Sequence, residues 1–170
     1  MNREQLRAIQ GPLKERYSRH PDEALVTLRA TGTLGEGISC SIGVGRALAE
    51  AGLHPSTGGD GLSLCSGDML LESLAACAGV TLRAVATSLE LEIESGAVHV
   101  EGDLDVRGTL AVSKEAPVGL SAIRLSFELE TDASDDELDT LLRLTERYCI
   151  VYQTLAGTPA LTTGWTRATG

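Results

Sequence analysis

The sequence predicts an α+β protein built on antiparallel sheet, and three features carry that expectation. One is a long apolar stretch, Cys65 to Thr87 (CSGDMLLESLAACAGVTLRAVAT), with the character of a single helix. Another is apolar–polar alternation on both sides of it, in ALVTLRATGTL before and GLSAIRLSFELET after. The third is order. Helix, two strands, long helix, strands, helix and a final strand do not alternate as a doubly wound fold requires.

Taken along the chain, Asn2 to Arg19 read as an appended helix within residues 1–20. Leu6, Ile9, Leu13 and Tyr17 share one stripe, and Gly11-Pro12 is expected to kink or interrupt it. Ala24 to Leu34 reads as a strand, Gly35-Glu36-Gly37 as a turn, and Ile38 to Val44 as the returning strand of a hairpin. Gly45 to Leu64 is irregular. Its centre, HPSTGGDG, sets glycines 58, 59 and 61 beside Pro55, which marks a loop with unusual dihedrals. No Gly-Lys-Ser/Thr follows to make a phosphate cradle, and Gly61 to Cys65 puts a thiol where a nucleophile elbow needs glycine.

In the long helix Ser66 or Asp68 is the expected N-cap. Leu70, Leu71, Leu74, Ala75, Ala78, Leu82 and Val85 make an apolar surface wide enough for a buried helix. Ala75, Ala76, Ala78 and Gly79 leave almost no bulk around Cys77, as a close helix–helix seam requires. Leu89 to Val112 then reads as strand with a turn at Gly96, and Gly119 to Thr131 as a strand with Ile123, Leu125, Phe127 and Leu129 on one face. Ser134 to Glu137 is a capping box opening a helix with Leu138, Leu141, Leu142 and Leu144 on its apolar side. It runs into Cys149, and the tail from Thr158 reads as a short last strand. Residues 1–170 are taken as a single domain.

Composition narrows the function. A formal charge of −10 would repel a phosphate backbone, and 3% aromatic residues leave little to stack on bases, so no nucleic-acid partner is expected. No uninterrupted apolar run reaches the roughly 18 residues of a membrane span. The first residues, MNREQLRAIQGPLKER, lack the apolar centre of a signal peptide, and a cytoplasmic location is expected. His20, His54 and His99 are scattered without ligand spacing, so no metal is expected. The four cysteines contain no C-x-x-C and should be thiols in a reducing compartment. Cys77 and Cys149 stand out by their helical settings, with inert buried thiols as the plain alternative. A reactive thiol must be held as thiolate, and Arg147, two residues before Cys149, would face elsewhere on a helix.

SGDMLLESLAACAGVTLRAVA resembles the central helix of the OsmC and organic hydroperoxide resistance (Ohr) family. ERYCIVYQTL resembles its second cysteine signature, and GLHPSTGGDG the glycine-rich loop ahead of the central helix. The resemblance covers about residues 24 to 166. It implies an OsmC-like α+β fold in an intertwined homodimer, with antiparallel sheets of both chains wrapped around long central helices. It also implies a thiol-dependent peroxidase reducing organic hydroperoxides in oxidative-stress defence. Cys77 would become a sulfenic acid, Cys149 would resolve it to a disulfide, and an external dithiol or lipoylated protein would restore the thiols. No bound cofactor is implied.

The departures concern what activates the thiol. The better-known peroxidases keep a Glu ten residues before the first cysteine, where this chain has Gly67. Asp68, at a position acidic in other OsmC-like members, is the third candidate catalytic residue, about 13 Å along a regular helix from Cys77. Their hairpin-turn Arg is replaced by Gly35-Glu36-Gly37, leaving Arg46 and Arg83 as substitutes. Ile150 stands where the family has proline after the second cysteine, so the helix is expected to run through Cys149. Cys65 reads as packing, with resolution as its alternative role. The alternative to an enzyme is a non-enzymatic small-molecule-binding or stress-associated dimer of the same fold with structural cysteines.

Overall fold

The computed structural model describes residues 2–20, 24–25, 27, 32–34, 39–44 and 47–168, of which Tyr17, 32–34, 39–44, 47 and 48 are described by backbone alone. The expected turn at 35–37, most of the strand expected from Ala24, and Arg46 lie outside these residues.

Helix α1 (Arg3–Arg19) opens on a capping box, Gln5 N–H donating to Asn2 Oδ1 at 2.9 Å and Asn2 N–H to Gln5 Oε1 at 3.0 Å. It runs unbroken through Pro12, against expectation. The residue before a proline is normally driven from helix by its Cβ, and Gly11 has none. Arg3 Nη1 meets Glu90 Oε2 at 2.6 Å and ties the start of α1 to the end of the central helix.

Strands β1 (Gly32–Leu34), β2 (Ser39–Val44), β3 (Ala47–Gly52) and β4 (Leu64–Cys65) form one sheet in that order. β1–β2 and β2–β3 are antiparallel, and β3–β4 is parallel. β3 falls where the sequence reads as irregular. Ala-Leu-Ala-Glu-Ala-Gly has no strand propensity, and pairing along all of β2, from Ser39↔Gly52 to Val44↔Ala47, holds it extended. The loop behaves as expected. A one-turn 3₁₀ helix, Pro55–Thr57, is capped by His54 Nδ1 accepting from Ser56 N–H at 3.1 Å, and Gly58 and Gly61 follow at φ +96° and +78°.

The central helix α2 (Ser66–Leu89) is 24 residues long. Cys65 is its N-cap and makes no side-chain capping bond, so neither Ser66 nor Asp68 takes the expected role. Glu90 ends it in the left-handed region at φ 63°. Leu74, Ala78, Leu82, Val85 and Ala86 are buried along one stripe, whereas Leu70 is 41% and Val80 73% exposed. The expected rod, buried all round, is within one chain buried on one side only. By length and composition α2 is apolar enough to cross a membrane, because its charges are few. Uninterrupted apolar runs alone do not reveal this.

That stripe rests on strands β5 (Ser95–Leu104) and β6 (Leu120–Glu130), an antiparallel pair in register from Ser95↔Glu130 to Asp103↔Ala122, with a bulge before Leu104. Gly96 is not the expected turn but a rung opposite Leu129. A Cβ there would stand 2.6 Å from Glu128 O, so glycine serves close strand approach. Ile123, Leu125, Phe127 and Leu129 alternate inward as expected. Arg124 pairs outward with Glu101 at 3.0 Å and Asp103 at 2.6 and 2.8 Å. Two segments expected as strand differ: Leu91 to Glu94 is irregular, and Val106–Thr109 is a helical turn, α3, with Asp105 accepting from Arg107 N–H.

Helix α4 (Asp135–Tyr148) starts on the expected box, Ser134 N–H and Oγ donating to Glu137 Oε2 at 2.9 and 2.7 Å. It stops at Cys149, and α5 (Ile150–Ala156) begins at once. From Thr158 to Ala168 the tail is not a strand, and Leu161 and Trp165 are 90% and 82% exposed.

Two apolar clusters hold these parts together. One joins Leu82, Val85, Ala86 and Ile93 to Leu141, and the other joins Leu74 and Ala78 to Cys149. Each fully buried leucine contributes about 2 kcal/mol. Among the residues whose side chains are described, none of the first sheet belongs to either cluster. Among the described residues its substantial packing on the rest is β4 leading into α2, beside contact of the 3₁₀ turn with α3.

Candidate active site

Cys77 and Cys149 come together in the second cluster. Cys149 lies at a break between helices, with φ −74° and ψ 109°, rather than within one. Its N–H closes α4 on Thr145 O and its carbonyl accepts from Gln153 N–H in α5, both at 2.9 Å. Proline is not needed for the break. Leu141 and Thr145 bury on one side of it, while Val151, Tyr152 and Leu155 pack into the cysteine cluster on the other.

The break frees the first amides of α5, and those of Ile150 and Val151 act to lower the Cys77 thiol. Burial alone would raise the Cys77 thiol, and it is the largest single influence. Against it stand four donors: Val151 N–H, the Cys149 thiol, the Thr81 hydroxyl and Ile150 N–H. Together they prevail and hold Cys77 below the ordinary thiol range. Cys149 goes the other way. Burial raises it most, and donation to Cys77 together with the negative charge forming there raise it further, while Tyr152 N–H, 3.5 Å from its sulfur, opposes. Cys149 is 0% exposed, whereas Cys77 is half-buried, and both are free thiols. The lowered thiol is thus the one a solute can reach, and the raised one is sealed.

The remaining candidates are elsewhere. Asp68 is exposed in the first turn of α2 and lines a 440 Å³ hollow with Glu72, His99 and Glu101, apart from the thiols. Arg83 Nη1 donates to Ile93 O at 2.5 Å and braces the segment after α2. Arg147 lies over the Tyr148 ring, 5.7 Å from its centroid, facing away as its spacing predicts. Cys65 is half-buried outside the cluster. Among the described residues no group of histidines, cysteines and carboxylates could hold a metal ion.

Sequence reasoning missed Thr81 and the two α5 amides. Thr81 was visible as a hydroxyl one helical turn beyond Cys77, whereas the amides depend on the break. A 580 Å³ hollow is lined by Leu74, Ile123, Leu125, Tyr152 and Leu155, which belong to or pack on the same cluster, and by Arg124 and Glu146; neither cysteine lines it.

A central helix bearing one cysteine, a second at a helix break and an antiparallel pair beneath them define an OsmC-like architecture. The OsmC-like protein family matches residues 58–164, and the chain belongs to that family. Similar solved structures include an OsmC-like protein from Mycoplasma pneumoniae, at 20% identity and TM-score 0.66, over 78% of this chain and 89% of that one. An organic hydroperoxide resistance protein from Elizabethkingia anophelis aligns at 16% and 0.63, over 79% and 91%. Another, an organic hydroperoxide resistance protein OsmC from Legionella pneumophila, aligns at 19% and 0.61, over 78% and 91%. At such identities the likeness is one of fold. No curated protein matches the chain.

Proposed function

We propose that the chain is a thiol-dependent peroxidase for organic hydroperoxides, with Cys77 attacking and Cys149 resolving. The observation that carries the reading is the meeting of two free thiols in one cluster, Cys77 half-buried and Cys149 fully sealed, with the Cys77 thiol lowered and the Cys149 thiol raised. Thiolate is the nucleophile. It attacks the distal oxygen of ROOH, an S–O bond forms as the O–O bond breaks, and the departing alkoxide takes a proton from solvent to leave as ROH. The peroxide hydrogen remains on the new sulfenic acid. Cys149 then attacks the Cys77 sulfur, the disulfide forms, and hydroxide leaves with the Cys149 proton as water. An external dithiol, free or on a lipoylated protein, reduces the disulfide by two exchanges and is itself oxidised. The hollow lined by Leu74, Ile123, Leu125 and Leu155 of the same cluster would seat the organic body of the peroxide.

In this reading the 170 residues are one domain that a second copy completes, in an intertwined homodimer in a reducing, cytoplasmic compartment. The chain exposes 13086 Å². A compact monomer of 17.8 kDa exposes about 8000 Å². Asp68 enters the chemistry only across that interface.

One equivalent of cumene hydroperoxide followed by mass spectrometry is the test. A Cys77–Cys149 disulfide is expected in the native chain, and a dimedone-trappable Cys77 sulfenic acid in Cys149→Ser. Unchanged thiols and unconsumed peroxide would sink the proposal and favour a small-molecule-binding dimer with structural cysteines.

A further inference from the structure

Resting on the peroxidase reading, we propose that the 580 Å³ hollow selects uncharged organic hydroperoxides over carboxylate-bearing ones, and that Glu146 is the residue that sets the preference. The wall that would hold an organic body is apolar, with Leu74 of α2, Ile123 and Leu125 of β6 and Leu155 of α5 lining it. Such a wall accepts alkyl and aryl bodies alike. Whether the body also carries a carboxylate is a matter for the charged groups around it. Among the described residues two charged side chains line the hollow, Arg124 and Glu146.

Arg124 has the chemistry of a carboxylate anchor, but it is already in use. Its Nη1 and Nη2 donate to the two Asp103 carboxylate oxygens at 2.6 and 2.8 Å, and its Nε donates to Glu101 Oε2 at 3.0 Å. This paired grip is how a guanidinium recognises a carboxylate, and Asp103 has taken it. An incoming carboxylate would have to displace Asp103, or approach a cation that two carboxylates outweigh. Glu146 adds a further negative charge from another wall. It lies exposed in the last turn of α4, and its carbonyl accepts from Gln153 Nε2 at 2.9 Å, which fastens α5 beside it. An uncharged hydroperoxide meets neither penalty. Near a protein surface a like charge several ångströms away changes affinity several-fold, and salt screens it.

The test is an NMR titration with two ligands of one body, 4-isopropylbenzyl alcohol and 4-isopropylbenzoate, read at the methyl resonances of Ile123 and Leu125. Native chain, Glu146→Gln and Glu146→Lys are compared at low salt. The native chain should bind the alcohol about fivefold more tightly than the carboxylate. Glu146→Gln should shrink that gap to about twofold by tightening the carboxylate alone, and Glu146→Lys should reverse it. Salt at about 0.5 M should narrow the native gap as well. Equal binding of the two ligands, as a cation from elsewhere in the chain would produce, overturns the assignment. So does a gap that Glu146→Gln leaves unchanged, or a titration that moves none of these methyls. In an active chain the same preference should appear as a higher kcat/KM for the methyl ester of linoleic acid hydroperoxide than for the free acid. Because binding needs no peroxide, a native chain inert to cumene hydroperoxide would refute the peroxidase, while the two affinities still decide what the hollow accepts.

Discussion

The Cys77 sulfur takes its donors from three places: its own helix through Thr81, the facing Cys149 thiol, and the Ile150 and Val151 amides. Removing the thiol donor should loosen the thiolate. Cys149→Ala is expected to move the Cys77 alkylation midpoint upward, whereas Cys149→Ser, which keeps a donor, should move it less. The pH dependence of stability follows from the same shifts. Cys77 titrates lower in the folded chain than in the unfolded one, so its contribution is present above the unfolded pKa and is lost as pH falls through the folded value. Cys149, raised on folding, contributes below the unfolded pKa and loses that contribution as pH climbs through the folded one. Urea unfolding of Cys77→Ser against native chain across pH 6 to 9 should therefore show the native chain gaining relative stability with pH. The two cysteines were legible from their motifs. Their donors were not, because an amide has no identity in a sequence and shows only once the break at Cys149 is known.

At the scale of elements, that break shows how packing overrides local signals. Ile150 opens α5 where the family's signature carries proline, and the helix still starts there. Proline suits the first position of a helix but has no N–H to give. Ile150→Pro should thus leave far-UV circular dichroism unchanged while raising the Cys77 midpoint, since one donor is lost. Gly96 makes the complementary case. Its missing Cβ lets Glu128 O approach, so Gly96→Ala should cost about 2 kcal/mol in urea denaturation by forcing β5 from β6. Elements with their own pattern were readable: the inward alternation of β6, the box at Ser134, the apolar stripe of α2. Those fixed by a partner were misread. β3 has helix-forming residues held extended by β2, and Gly96 has the composition of a turn inside a ladder.

For the whole molecule, surface is the telling quantity. In the proposed homodimer a second copy covers part of the 13086 Å² that one chain exposes. Light scattering after size exclusion should give twice the chain mass. Trp165, the single tryptophan and 82% exposed in one chain, should emit at shorter wavelength in the assembly than in urea. The family's fold was legible here through its motifs, but what one chain leaves bare was not, since sequence periodicity says which faces are apolar and not which chain covers them.

In the proposed homodimer the protein's integrity is a matter of concentration. Assembly and folding then share one equilibrium, and melting temperature should climb with each tenfold increase in protein, as it does for chains without a stable folded monomer. Dilution would dismantle the structure around Cys77 before any chemistry could exhaust it. A cell making little of this chain would then gain less than proportionate protection, and one making much of it, more.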